Sequence, residues 1–197
     1  DRIETRPRAE RGAIPALELE ILDGRALVDA PFGALEASFS GQGRLGEDFT
    51  ASARIAETTR RARDYALARG GAELTIVSRE DALALQVYAN AAELRWNELM
   101  LDGADVRVTA HAPLDLSSYA AEIAWRADRL QTARVDARGM AGVLSGEGRA
   151  RDDRLEPRTW RANAGIAADR LAYADMALTA PRLDARAEGV AGAGDGA

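Results

Sequence analysis

Apolar and polar residues alternate with a period of two along most of this chain. Leu35, Ala37 and Phe39 alternate with Glu36, Ser38 and Ser40, and Phe49, Ala51, Ala53 and Ile55 alternate with Thr50, Ser52 and Arg54. Successive side chains of a strand point to opposite faces, so this period predicts amphipathic β-strands. The alternation resumes at Leu74 and Ile76, then at Leu83, Leu85 and Val87, then at Leu94 and Trp96. Leu99 and Leu101 follow one residue out of phase, which predicts a bulge or turn near Asn97-Glu98. Val106, Val108, Ala110 and Ala112 make the next strand, closed by Pro113, and Tyr119, Ala121, Ile123 and Trp125 the one after it. Roughly eleven strands result, which at ~4.8 Å each would extend only roughly 50 Å.

Turn chemistry punctuates the strands. Asp23-Gly24 and Asp102-Gly103 read as two-residue hairpin turns, because Asp-Gly supplies the positive-φ residues that such turns require. Glu57 to Arg69 lacks period two, is rich in helix formers and ends at Gly70-Gly71, so a short helix with a glycine cap is expected over 57–69. Residues 1–13 are polar and arginine-rich and read as a linker or frayed segment, 14–190 as one repetitive β segment, and 191–197 as a Gly/Ala-rich flexible end. Asp1 in place of a methionine, together with that tail, suggests a piece of a longer chain, whose signal or anchor would lie outside it.

The strands repeat. Residues 118 to 130 recur 41 positions later as 159 to 171, with aromatic, apolar and charged positions in step. Leu94, Trp96, Leu99, Leu101, Val106 and Val108 correspond, 77 residues on, to Leu171, Tyr173, Met176, Leu178, Leu183 and Ala185, and the phase change recurs at Asp175. Ser40-Gly41-Gln42-Gly43-Arg44 is echoed by Ser145-Gly146-Glu147-Gly148-Arg149, each read as a repeated turn between strands. Repetition of one supersecondary unit predicts an extended stack, with a surface rather than a pocket as its product.

Composition adjusts this picture. The chain is 47% hydrophobic, enough to fold, but 43 of those residues are alanine and only ten are aromatic, so a conventional dense core looks thin. All 26 basic residues are arginine, and the net charge of −6 repels phosphate, so nucleic acid is not expected as a partner. The absence of cysteine excludes thiolate chemistry and disulfides. The longest uncharged run, Ala82 to Ala92, has eleven residues, against the ~20 a membrane-spanning helix needs.

Candidate chemistry is sparse. Gly41 to Gly46 spells GxGxxG, but Glu47 to Ile55 beyond it alternates as a strand where a dinucleotide site needs a helix. His111 is the only histidine and has no second imidazole or thiolate to complete a zinc site, so it is expected on a polar strand face. The acidic pairs Glu47-Asp48, Glu80-Asp81 and Asp152-Asp153 fall at predicted turns and read as solvated charge. No catalytic residue, metal site or cofactor is therefore expected, and the chain is not expected to be an enzyme.

The feature with most functional potential is an apolar stripe of Trp96, Val106, Val108, Tyr119, Ile123, Trp125, Trp160, Ile166 and Tyr173. One reading makes it the core of a closed sandwich or barrel. The other notes that runs of alanine such as Ala51, Ala53, Ala162 and Ala164 offer a facing sheet little to interdigitate with, leaving space for acyl chains. The pattern alone leaves both open.

The amphipathic strands, Asp-Gly pairs, Ser-Gly-x-Gly-Arg strings and phrases such as Asp48 to Ala56 together resemble the AsmA-like superfamily, especially its YdbH and TamB branches, over roughly residues 14 to 190. That resemblance implies an all-β fold: a repetitive, twisted antiparallel groove, U-shaped like a β-taco, in the periplasm of a Gram-negative bacterium. The parent chain would be anchored in the inner membrane outside this segment. The nine stripe residues would then face phospholipid acyl chains carried between the inner and outer membranes, with envelope proteins as further partners through the parent chain. The alternative is a cell-envelope structural or protein-binding β-repeat with a closed core.

Overall fold

In a computed structural model the chain is described over residues 17–45, 47–79, 82–151 and 154–190. Twelve strands follow one another: β1 (Leu17–Val28), β2 (Leu35–Leu45), β3 (Thr50–Arg61), β4 (Tyr65–Arg79), β5 (Ala82–Trp96), β6 (Leu99–Pro113), β7 (Ser118–Gln131), β8 (Val135–Arg151), β9 (Arg154–Ala167), β10 (Arg170–Tyr173), β11 (Met176–Thr179) and β12 (Arg182–Val190). All belong to one antiparallel sheet in which β1 to β8 pair in chain order, and the sheet is not closed. Strands β9 and β10 both line the free edge of β8, at residues 141–151 and 135–138, so they act as one ribbon interrupted at Ala168-Asp169. Strands β12 and β11 pair with β9 and β10 in the same way. The molecule is thus a ten-ribbon meander.

The expected helix over 57–69 is not formed. Strand β3 runs to Arg61, Ala62 N donates to Tyr65 O at 2.8 Å across a tight turn, and β4 starts at Tyr65. Helix propensity of a few tenths of a kcal/mol per residue yields there to cross-strand pairing on both sides. Neither Asp-Gly pair makes a hairpin. Asp23-Gly24 lies inside β1, where the register with β2 shifts between Ile21 and Gly24, and Asp102-Gly103 lies inside β6. The two Ser-Gly-x-Gly-Arg strings, expected as turns, are strand interiors of β2 and β8. Asn97-Glu98 is a true turn, with Asn97 at φ 54°, and its echo at Ala174-Asp175 has Ala174 at φ 50°. The segments 1–13 and 191–197 lie outside the described residues.

A line of kinks crosses the sheet. Arg69 (φ 46°) on β4, Gly103 (φ 58°) on β6, Gly139 (φ 57°) on β8 and Ala180 (φ 50°) between β11 and β12 are left-handed in mid-ribbon. On the ribbons between them, Asp128 and Asp169 lay their carboxylates where a Cβ on Gly103 or Gly139 would stand, so glycine at both positions makes room for the aspartate and is favoured by the positive φ. These aspartates occupy the same place in the 41-residue repeat, within Ala127-Asp-Arg-Leu130 and Ala168-Asp-Arg-Leu171. The alternation slips by one residue at the line: the apolar positions of β6 are Leu99 and Leu101 before it, and Val106 and Val108 beyond it.

Because the sheet is a single layer, little is buried. Among the described residues only Leu35, Phe49, Ala66, Leu67, Ala127 and Ala137 are buried apolar side chains. The substantial contacts between strands are all between hydrogen-bonded neighbours. No helix of the described residues is long and apolar enough to cross a membrane.

Candidate functional site: one apolar face

Registered pairs share a face, so the pairing traces rows across the sheet. One row reads Ala26, Ala37, Ile55, Ala72, Ala89, Val106, Trp125, Gly142, Ile166, Leu183. The next reads Gly24, Phe39, Ala53, Leu74, Val87, Val108, Ile123, Leu144, Ala164, Ala185. No charged residue enters either row. Beyond the kink line a third row joins Leu67, Leu94, Leu101, Leu130, Ala137, Leu171 and Leu178. The Leu67 side chain fills the space a Cβ on Gly70 would need, and Gly70 is two residues from Ala72, so the phase slip keeps the leucines on the same face.

Seven of the nine stripe residues gather on one part of this face. Val106 stands opposite Trp125 and Val108 opposite Ile123, Ile166 is one ribbon beyond Gly142, and Tyr119 and Trp160 flank Gly148. Trp96 and Tyr173 lie apart from them across the kink line, Trp96 edge-to-face with Tyr65 at 5.1 Å and Tyr173 between Val135 and Met176. The leucine row was not among the candidates. Its signal is the placement of leucines symmetrically about a turn, as in Leu94 and Leu101 around Asn97-Glu98 and Leu171 and Leu178 around Ala174-Asp175.

A second unanticipated feature is the partnership of aromatic rings with glycine. Trp125 faces Gly142, Tyr119 faces Gly148, Trp160 faces Gly189 and Phe39 faces Gly24, and a Cβ on any of these glycines would run into the facing ring at 2.6 Å or less. The rings therefore lie down across the neighbouring ribbon in place of projecting from the sheet, and shield glycine backbone as they do so. The face becomes a low, continuous apolar floor.

The other face is polar and cross-braced. Arg54 pairs with Glu73 at 3.4 Å, Arg161 with Glu147 at 3.0 Å, and Arg129 grips Asp136 with two bonds of 2.9 and 3.0 Å. Asp105 accepts from Arg126 Nε and, at 2.9 Å, from the Tyr88 hydroxyl. The Arg126 bond and then the tyrosine hold the Asp105 carboxyl below its ordinary value, and Arg129 does the same to Asp136. Two open hollows of about 820 and 980 Å³ are lined from both sets of residues, the first by Tyr88, Arg107 and Arg182 together with Val106, Trp125 and Ile166, the second by His111, Glu147 and Arg161 together with Tyr119 and Trp160.

His111 is exposed on this polar face between Ala84 and Ala120. Gly41-Gln42-Gly43 is strand, not the threshold of a helix, and Gly46 lies outside the described residues. Glu47-Asp48 occupies a turn, while Glu80-Asp81 and Asp152-Asp153 are outside the described residues. No group of three metal-ligating side chains occurs among the described residues.

Fold and face define an open antiparallel β-meander with one apolar and one charged side. No family model matches the chain, and neither a curated protein nor a solved structure matches it.

Proposed function

We propose that the apolar face shelters the acyl chains of phospholipid, and that this chain is a non-catalytic stretch of a periplasmic bridge passing lipid between the inner and outer membranes of a Gram-negative envelope. The observation that carries this reading is the single-sided floor: ten ribbons with aligned apolar rows and no protein layer facing them among the described residues. Such a face is costly in water, and full coverage contributes roughly 1.5–3 kcal/mol per Val, Leu or Ile. One leaflet's share of the ~30 Å hydrocarbon core is about 15 Å, so an acyl chain laid across the ribbons would span three or four of them. The rings lying over glycine leave few ridges to obstruct a chain that slides, and head groups remain in water at the margin. The closed-core alternative needs a second layer packed on the same rows.

Native mass spectrometry of the purified chain tests the proposal. Bound phospholipid is expected, and Val108→Asp should abolish it, whereas Thr109→Asp on the opposite face should leave it intact. Lipid-free protein, or equal loss in both variants while each keeps its β-sheet circular dichroism, would overturn the reading.

A further inference from the structure

The charged face has a window without charge. Its row through Tyr88 and Arg107 continues as Ala124, Val143 and Gly165 before charge returns at Asp184. Its row through Asp105 and Arg126 continues as Ala141 and Ala167 before Arg182. Five adjoining positions on β7, β8 and β9 therefore carry nothing larger than valine where the alternation calls for polar side chains. Val143 is 45% exposed there, and Ala141 and Ala167 are exposed beside it. The next row of the same face, Thr109, Glu122, Ser145, Asn163 and Arg186, is polar throughout and bounds the window on one side.

The hollow of about 820 Å³ lies over this window. Both rows line it, and so does the row that runs between them through Val106 and Trp125. Val108, Ile123, Leu144 and Leu183, which flank Val106 and Trp125 on the apolar face, take no part, so the hollow opens on the charged side. Its volume falls within the roughly 300–1,000 Å³ of small-molecule sites. Four strand spacings of ~4.8 Å, roughly 19 Å along the sheet, separate its walls on β6 and β12.

The rim supplies one unbalanced charge. Arg126 and the Tyr88 hydroxyl both donate to Asp105, and Arg182 donates to Asp184 at 2.9 and 3.3 Å, so both carboxylates at the hollow are engaged. Arg107 stands between Tyr88 and Ala124, exposed and with no ion-pair partner among the described residues. Its guanidinium offers two parallel N–H donors to an incoming carboxylate, sulfonate or phosphate. An apolar body attached to that group would cover Ala124 and Val143.

We infer that this hollow is a binding site for a small amphiphilic anion, whose acidic group pairs with Arg107 and whose apolar body lies on Ala124, Val143 and Gly165. A compact anion leaves the floor uncovered, and an uncharged body leaves Arg107 unmatched, so tight binding needs both parts in one molecule. The site lies on the opposite side of the sheet from the acyl-chain floor and does not rest on it.

Anilinonaphthalene sulfonate carries both parts and serves as the probe. Val143→Cys places the sole thiol of the chain on the floor of the hollow, and its reaction with N-ethylmaleimide should slow as the probe saturates. In that background Arg107→Gln should raise the probe concentration needed for half protection by roughly three- to tenfold, the worth of one exposed charge-assisted pair. Arg54→Gln removes the same charge from the same row outside the hollow and should leave protection unchanged. Phenylnaphthylamine, the same rings without the sulfonate, should protect far less and should lose nothing from Arg107→Gln. β-Sheet circular dichroism of each variant separates loss of the site from loss of the fold. Labelling at 143 that ignores the probe, equal losses from Arg107→Gln and Arg54→Gln, or equal protection by the uncharged analogue would each overturn the inference. Phospholipid enters none of these measurements, so their failure leaves the reading of the apolar face standing.

Discussion

Val106 and Leu183 stand in one row on one face, three ribbons of the sheet between them, yet Val106 on an interior ribbon is half-buried while Leu183 on the edge is 62% exposed. In a two-layer domain, burial at both sites would come from a facing element. Here it comes sideways, from the flanking ribbons, so a residue with a neighbour on each side is partly sheltered and one with a single neighbour is bare. Burial in this fold depends on a ribbon to either side, and the two edge ribbons should be less stable than those between them.

The largest effect should come from breaking an interior ribbon. Leu67, 9% exposed, sits at one end of the leucine row against Leu94, and Leu67→Ala should cost ~2–4 kcal/mol, whereas Leu183→Ala should change stability by no more than about 0.5 kcal/mol. Urea unfolding of the two variants measures the difference, and equal losses would mean that the edge is covered after all.

A smaller effect sharpens the comparison within a single ribbon. On β8, a Cβ at Gly142 would meet the Trp125 indole at 2.5 Å, while a Cβ at Gly146 would find nothing nearer than a backbone oxygen at 3.8 Å. Gly142→Ala should lift the ring and cost about 1–3 kcal/mol, and Gly146→Ala should be neutral or stabilise by up to about 1 kcal/mol. Tryptophan emission of the first variant should shift to the red, and thermal unfolding separates the pair.

The smallest effect is electrostatic and belongs to the interior ribbons of the polar face. Asp105 and Asp136 are held below the ordinary carboxylate value by Arg126 and Arg129. A depressed folded value contributes stability that is complete above the unfolded value of about 3.9 and is lost as pH falls through the folded one. The urea midpoint should therefore be level from pH 7 to about 5 and decline below about 4. Asp105→Asn with Asp136→Asn should lower the plateau and flatten that decline.

The strands themselves were legible because period two is a local property. Alternation from Leu35 to Phe39, and from Tyr119 to Trp125, located β2 and β7 directly. Failures cluster where the chain is left-handed or the pairing slips. Asp102-Gly103 reads as a hairpin because glycine at positive φ serves a turn and a mid-strand kink equally well, and only the presence of paired ribbons on both sides distinguishes them. The stretch from Glu57 to Arg69 reads as helix because the slips at Thr58 and Arg69 erase the alternation at both its ends. The shared face of Val106, Val108, Ile123 and Trp125 was accessible from spacing alone. The pairing of Trp125 with Gly142 was not, since register between strands depends on turn geometry that composition does not encode.

Two adjacent positions on β6 test the central claim that the apolar face is bare of protein and takes up acyl chains. Val108 belongs to that face and Thr109 to the other, so Val108→Cys and Thr109→Cys place the sole thiol of the chain on either side of one layer. Maleimide labelling rates of both are measured with and without dihexanoyl phosphatidylcholine below its micelle concentration. Both thiols should react readily in its absence, and the lipid should slow labelling at 108 while leaving 109 unchanged. A thiol at 108 that resists labelling without lipid, or equal responses at the two sites, would contradict the account.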